Sequence, residues 1–236
     1  MKRNRSHRPR RRKVLTAGSH GGTELQSQVL CIDANFEPIT QAGYLHRTSY
    51  LYPKLKNMGF NLVFCSASDD NRQNVASHAA ASGIIYLTGE GHGADAQYDG
   101  QRFESVFKVA GYQPKEVQGR IVHFLSCYTA IKLGPDMVRN GCRAFFGYDF
   151  LFSFHPDFAD VSLKCDSEID LAFAEGLTAA EVFSRVQDLF TRTIADLRAI
   201  GGTTANCAAA MLETDLAHLV SPISGPDWGD QSAKLG

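Results

Sequence analysis

The chain has 236 residues, 44% hydrophobic and 21% charged, which suits one well-buried α/β core and is cramped for two full domains. Its 24 basic and 25 acidic side chains leave a net charge of −1, which excludes a fold whose whole surface grips nucleic acid or a membrane by charge. No apolar run approaches the roughly 18 residues that cross a bilayer, and the six cysteines, several inside apolar runs such as VLCID and LVFCSA with no secretory leader before them, predict reduced thiols in a cytoplasmic protein.

Residues 1–24 form a basic tail: MKRNRSHRPRRRK carries no acid and is followed by a Gly/Ser/Thr-rich link. Such a segment buries too little apolar surface to fold and reads as a disordered leader, with nucleic-acid binding the less favoured alternative. Val29 to Asp33 and Asn61 to Ala67 are apolar runs of the buried, parallel type. Between them Thr48 or Ser49 is expected to cap a helix that has Pro53 in its first turn and Gly59 as its stop. Asp70 or Asn71 then caps a helix through Ala81.

Ile84 to Thr88 predicts the third strand. The Gly/Asp-rich stretch GEGHGADAQYDG follows it, then a helix-like Arg102 to Ala110 and a fourth strand at Ile121 to Leu125. Lys132 to Asn140 predicts a helix ended by Gly141, and Arg143 to Tyr148 a fifth strand. Strands alternating with helices at this spacing argue for a parallel sheet with helices on both faces. The last third turns helical: Thr178 and Glu181 make a capping box ahead of an amphipathic run that stops at Gly201 and Gly202. Thr203 or Thr204 caps another helix through Leu216. The domain expected is 25–221, with a disordered tail over 222–236.

Two strand ends carry reactive side chains. His92 lies between glycines after the third strand, and Cys127 follows the fourth, thirty-five residues later. In open parallel sheets ligands bind beyond the carboxyl ends of the strands, so neighbouring strands would bring both residues to one edge. A thiol needs a base beside it to become a useful nucleophile, and an imidazole supplies one. Cys127 is therefore the candidate nucleophile and His92 the candidate base, with the amides of Gly93 and Cys127 as oxyanion donors. His123, inside a strand, reads as a core histidine. Cys142, Cys165 and Cys207 lack metal-site spacing, and no phosphate loop is present, so neither metal nor cofactor is expected.

An apolar strand ending in His-Gly, then one ending in Cys, resembles the caspase-like cysteine peptidases, and LTGEGHG with the short His-to-Cys spacing is most similar to their gingipain and CHAT-domain branch. RAFFGYD and AEGLTAAEVF extend the likeness over roughly residues 28–220. The resemblance implies a caspase-hemoglobinase-like three-layer α/β/α sandwich with a mostly parallel sheet, and peptide-bond hydrolysis through a Cys/His dyad. The acid that clostripain and metacaspases carry two residues before the nucleophile is here Leu125. Gingipains use an acid after an early strand, so Asp33 and Asp149 are the candidate substrate-binding residues for a basic residue before the scissile bond. With that preference the tail itself offers a cleavage site near Arg10 to Lys13.

The expected partners are a protein or peptide substrate and a regulatory protein, with no membrane. The alternative is a catalytically silent domain of the same kind that binds a partner or ligand through the same edge.

Overall fold

The computed structural model describes residues 27–235, so the predicted basic tail lies outside the described residues. The first strand, β1 (Gln28–Asp33), leads into helix α1 (Pro38–His46), whose cap is Glu37: its carboxylate accepts from the amides of Ile39 at 3.0 Å and Thr40 at 2.7 Å, and Pro38 occupies the first turn. The helix does not begin at Thr48 or Ser49 as expected. Those hydroxyls bond backward, Thr48 to the Tyr44 carbonyl at 2.8 Å and Ser49 to that of Leu45 at 2.7 Å, as mid-helix residues do. Pro53 has no N–H for the preceding turn, and the chain widens into a π-helical turn over Arg47–Leu51 before continuing as α2 (Tyr52–Asn57).

Strand β2 (Asn61–Ser66) and helix α3 (Arg72–Ala79), capped by Asn71, follow the expected pattern. Strand β3 (Ile84–Glu90) runs two residues beyond the predicted end and pairs to its tip with β1, Asp33 opposite Glu90. The helix expected over Arg102–Ala110 is absent. An antiparallel sheet of β4 (His92–Ala94), β5 (Gln97–Asp99) and β6 (Ser105–Lys108) stands in its place, and Arg102 and Phe103 have φ of 55° and 63°. The apolar spacing Phe103, Val106, Phe107 fits a helix equally well. Packing decides the outcome, because Val106 and Phe107 are buried and Tyr98 stacks on Phe124 at 4.2 Å.

Strand β7 (Ile121–Leu125), helix α4 (Leu133–Arg139) and strand β8 (Ala144–Tyr148) complete the parallel part. Helices α5 (Ala159–Ala174), α6 (Ala179–Ile200) and α7 (Gly202–Ala217) then lead to β9 (Leu219–Val220), the lone antiparallel member of the six-stranded sheet β2-β1-β3-β7-β8-β9. The capping box at Thr178 and Glu181 forms. One face of the sheet packs on α2, α5, α6 and α7, and the other on α3, α4 and the small antiparallel sheet. The protein is thus an α/β fold with a mostly parallel sheet between two helical layers.

Residues 222–235 pack against the body, contrary to the expected tail. Trp228 Nε1 donates to the Ala130 carbonyl at 2.9 Å, Gly229 bridges to Ala144, and Ala233 is buried. Among the described residues no helix is long and apolar enough to cross a membrane.

Candidate functional site

Strands β3 and β7 are hydrogen-bonded neighbours, with Glu90 opposite Leu125. Each strand ends within two residues of a reactive side chain, so His92 and Cys127 emerge together at the carboxyl edge. Both line one cavity of about 240 Å³. The approach is close because Gly93 has no side chain: a Cβ there would stand 2.1 Å from Ser126 Oγ and 2.5 Å from the Cys127 carbonyl oxygen. Tyr128, immediately after Cys127, has φ 61°, so the chain turns sharply through the left-handed region at this point. A larger, more open hollow of about 600 Å³ lies by Tyr44, Tyr52 and Phe64, and its lining includes neither cysteine nor histidine.

The thiol and the imidazole each lie beside another group. Cys127 Sγ faces the Phe152 carbonyl oxygen at 3.9 Å, and burial pushes the thiol above its ordinary range, with the charge of Asp215 acting the same way. The thiol at rest is therefore in its protonated form. His92 packs against the rings of Phe36 and Phe103, which also touch each other, with centroids 5.9 and 4.7 Å away, and its Nε2 lies 3.3 Å from Glu37 Oε1. Partial burial pushes the Glu37 carboxyl up, but the amides of Ile39 and Thr40 and the nearby imidazole hold it below its usual value. Glu37 is thus an ionised group 3.3 Å from one ring nitrogen, yet too poorly aligned to accept a hydrogen bond from it, so the buried Nε2 has no hydrogen-bond partner among the described residues.

The two acids expected to bind substrate do not reach this cavity. Asp33 is fully buried, with Arg47 Nε 2.8 Å from its Oδ1 and the Tyr52 hydroxyl donating to Oδ2. It is a structural carboxyl, and the expectation for it is corrected. Asp149 pairs with His218 Nδ1 at 2.8 Å on the surface and is not among the cavity-lining residues, so it too is set aside.

Arg47 belongs to a larger buried cluster. Its Nη1 lies 3.6 Å from Asp170, and Nη2 donates to Thr88 at 2.8 Å. His123, the predicted core histidine, bridges Asp166 at 3.2 Å and Asp170 at 3.3 Å. Burial alone would lower the His123 pKa, but the two aspartates outweigh it and raise it to about 9.

Sequence reasoning missed two residues at the site. Glu37 was legible as an acid before Pro at a helix start. Glu90, in the cavity wall, was hidden by the assignment of GEGHG to a loop. Burial, reinforced by the charge of Asp33, pushes its carboxyl far above the normal range. Among the described residues no group of three or more His, Cys, Asp or Glu side chains is arranged to hold a metal ion. A scan against models of known protein families gives no match, and a search of curated proteins gives none either.

Proposed function

We propose that the chain is a cysteine endopeptidase with a caspase-hemoglobinase-like fold, in which Cys127 is the nucleophile and His92 the base. One observation carries the reading: both residues line a single cavity at the carboxyl edge of adjacent parallel strands, with Gly93 packed directly against Cys127. The substrate is a protein or peptide chain.

In this reading Glu37 lies beside Nε2 of His92, and the imidazole accepts the Cys127 proton as the scissile carbonyl arrives. The sulfur attacks the carbonyl carbon, and the oxygen takes up the negative charge beside the Gly93 main chain. The imidazolium then protonates the leaving amine, and the amine departs. Water, deprotonated by the same imidazole, hydrolyses the thioester and restores the thiol.

The test is turnover of fluorogenic peptides by the full chain and its variants. Cys127→Ala abolishes turnover with the melting temperature preserved, and His92→Ala lowers kcat/KM on the order of a thousandfold. Because Cys207 is exposed, alkylation is followed in a Cys207→Ser background, where a thiol-directed peptide ketone marks Cys127 alone. Near-normal turnover by purified Cys127→Ala ends the reading.

A second reading has its own support. The raised thiol held at the Phe152 carbonyl suits a silent domain that binds a partner through the same edge. Binding of a peptide without turnover or selective alkylation selects it.

A further inference from the structure

The segment that follows β8 joins the Cys127 turn to the last helix. The Tyr148 carbonyl accepts from the Ala130 amide at 3.1 Å, the Phe150 carbonyl accepts from the Tyr128 amide at 3.1 Å, and the Phe152 carbonyl faces Cys127 Sγ at 3.9 Å. Three alternate carbonyls thus run along residues 127–130, the spacing of an extended chain whose every second residue faces one side.

The same segment is tied to α7 and its cap. The Ser153 amide donates to Asp215 Oδ1 at 3.1 Å, and the Asp149 amide donates to the His218 carbonyl at 3.2 Å. Asp149 Oδ1 lies 2.8 Å from His218 Nδ1, and the Phe150 ring stacks on that imidazole at 4.7 Å. Outward the segment is bare, with Phe150 40% and Leu151 49% exposed. The ties to α7 therefore decide where its carbonyls stand.

Asp215 is the inner tie. It is fully buried, and its Oδ2 has no hydrogen-bond partner among the described residues. On the neighbouring elements its charge reaches Asp166 and Cys165 of α5, Tyr148 at the end of β8, and Cys127, and none of these is a cation. A carboxyl so placed is costly to the fold. What it contributes is an acceptor for the amide that fixes Ser153, one residue beyond the carbonyl facing the thiol.

We propose that Asp215 is a positioning residue for Cys127: from α7 it holds the 149–153 segment against the thiol, with the Phe152 carbonyl engaging the S–H, and release of the Ser153 amide frees the sulfur. As regulation of the site the inference rests on the peptidase reading, whereas the tie itself is a property of the thiol and is read without substrate. Leu151, Phe152 and Phe154 also line the cavity, so a chain entering it displaces the same segment and couples occupancy to release of the thiol.

The experiment follows alkylation of Cys127 by iodoacetamide against pH, by mass spectrometry of the full chain in a Cys207→Ser background, since Cys207 is the exposed thiol. Asp215→Ala, Asp215→Asn and His218→Ala are compared with the parent, each with a melting curve. Asp215→Ala deletes the acceptor and raises the limiting alkylation rate on the order of tenfold, the effect of one lost hydrogen bond on a local opening. Asp215→Asn keeps an acceptor for the Ser153 amide and removes the charge. Its limiting rate stays that of the parent while the midpoint moves to lower pH, because the thiol titrates where Asp215 is already ionised.

His218→Ala loosens the outer tie at a half-exposed pair and raises the limiting rate in the same direction. A limiting rate unchanged or slowed in folded Asp215→Ala overturns the proposal, and so does an unmoved midpoint in Asp215→Asn. Where Asp215→Ala does not fold, an unchanged rate in His218→Ala overturns it instead. Failure of the peptidase reading is seen separately, as absent turnover in a wild type whose alkylation still responds to these changes.

Discussion

Glu37 Oε1 lies 3.3 Å from His92 Nε2, while the same carboxylate caps α1 through the amides of Ile39 and Thr40. One side chain thus caps the start of a helix and sets a negative charge beside the imidazole. Glu37→Gln keeps an acceptor at the cap and removes the charge facing the ring. We expect kcat to fall about tenfold to a hundredfold with little change in KM, the range seen when groups that orient a functional histidine are removed. Glu37→Ala additionally costs about 1 kcal/mol of stability from the lost cap. Equal kcat for wild type and Glu37→Gln would show that the contact does not position the base.

Asp33 separates stability from selectivity. Its carboxylate is buried with Arg47 and Tyr52, so removing Arg47 deprives both Asp33 and Asp170 of its charge in the interior, whereas removing Asp33 leaves Arg47 still facing Asp170. Arg47→Leu is expected to cost about 3–5 kcal/mol in chemical denaturation, and Asp33→Asn a smaller part of that. Neither change should alter which residue is preferred before the scissile bond. A folded Asp33→Asn protein with switched preference would return Asp33 to the site.

The strand tips were legible because VLCID, IIYLTGE and IVHFL are apolar runs with nothing else to become, and adjacent parallel strands must deliver their ends to one edge. The face a tip residue occupies was not legible. Asp33 reads as an edge acid until Arg47 arrives from a neighbouring helix to claim it. Glu90 reads as a loop acid until pairing with Asp33 and Leu125 carries the strand two residues further. The acids of α5 gave little signal, since Asp166 and Asp170 interrupt an apolar helix face and are explained by His123, Arg47, Tyr86 and Tyr148 across the interface. The C-terminal stretch looked like a tail because its hydrogen bonds are made to distant residues, Ala144 and Ala130 among them.

The buried cluster sets a pH window. His123 titrates near 9 in the fold against an ordinary 6.5, so its contribution is fully present below about pH 6.5 and is lost as pH rises through 9. Burial pushes Asp215 up to about 8, with the Ser153 amide opposing, so its neutral form favours the fold at low pH and its ionisation destabilises it in the same direction. On the acid side Asp170 is held at about 2, burial opposing and His123 prevailing, and its contribution disappears as pH falls below the usual 3.8. Denaturation free energies measured at pH 6, 7.5 and 9 should decline, by on the order of 3 kcal/mol for His123 over its whole range. His123→Gln is less stable at pH 6 and shows a shallower decline, and a flat profile in the wild type would contradict the cluster.

Trp228 ties the C-terminal stretch to the turn that carries Cys127. Its indole Nε1 donates to the Ala130 carbonyl at 2.9 Å, three residues beyond Cys127, while the Asp230 amide bonds the Arg143 carbonyl at 2.8 Å and the Ala179 amide bonds that of Ala233 at 2.8 Å. The stretch therefore buttresses the turn and fastens it to β8 and to the start of α6. Trp228→Phe keeps most of the ring and loses the donor, which should cost about 1 kcal/mol, more if the Ala130 carbonyl stays buried without a partner. Trp228→Ala also removes half-buried aromatic surface, for about 2–3 kcal/mol in all. Because the lost bond supports the backbone that carries Cys127, the rate of peptide hydrolysis should fall in Trp228→Phe well below the melting temperature, with alkylation of Cys127 by iodoacetamide becoming faster as the turn loosens. Loss of stability with both rates unchanged would make Trp228 a packing residue alone.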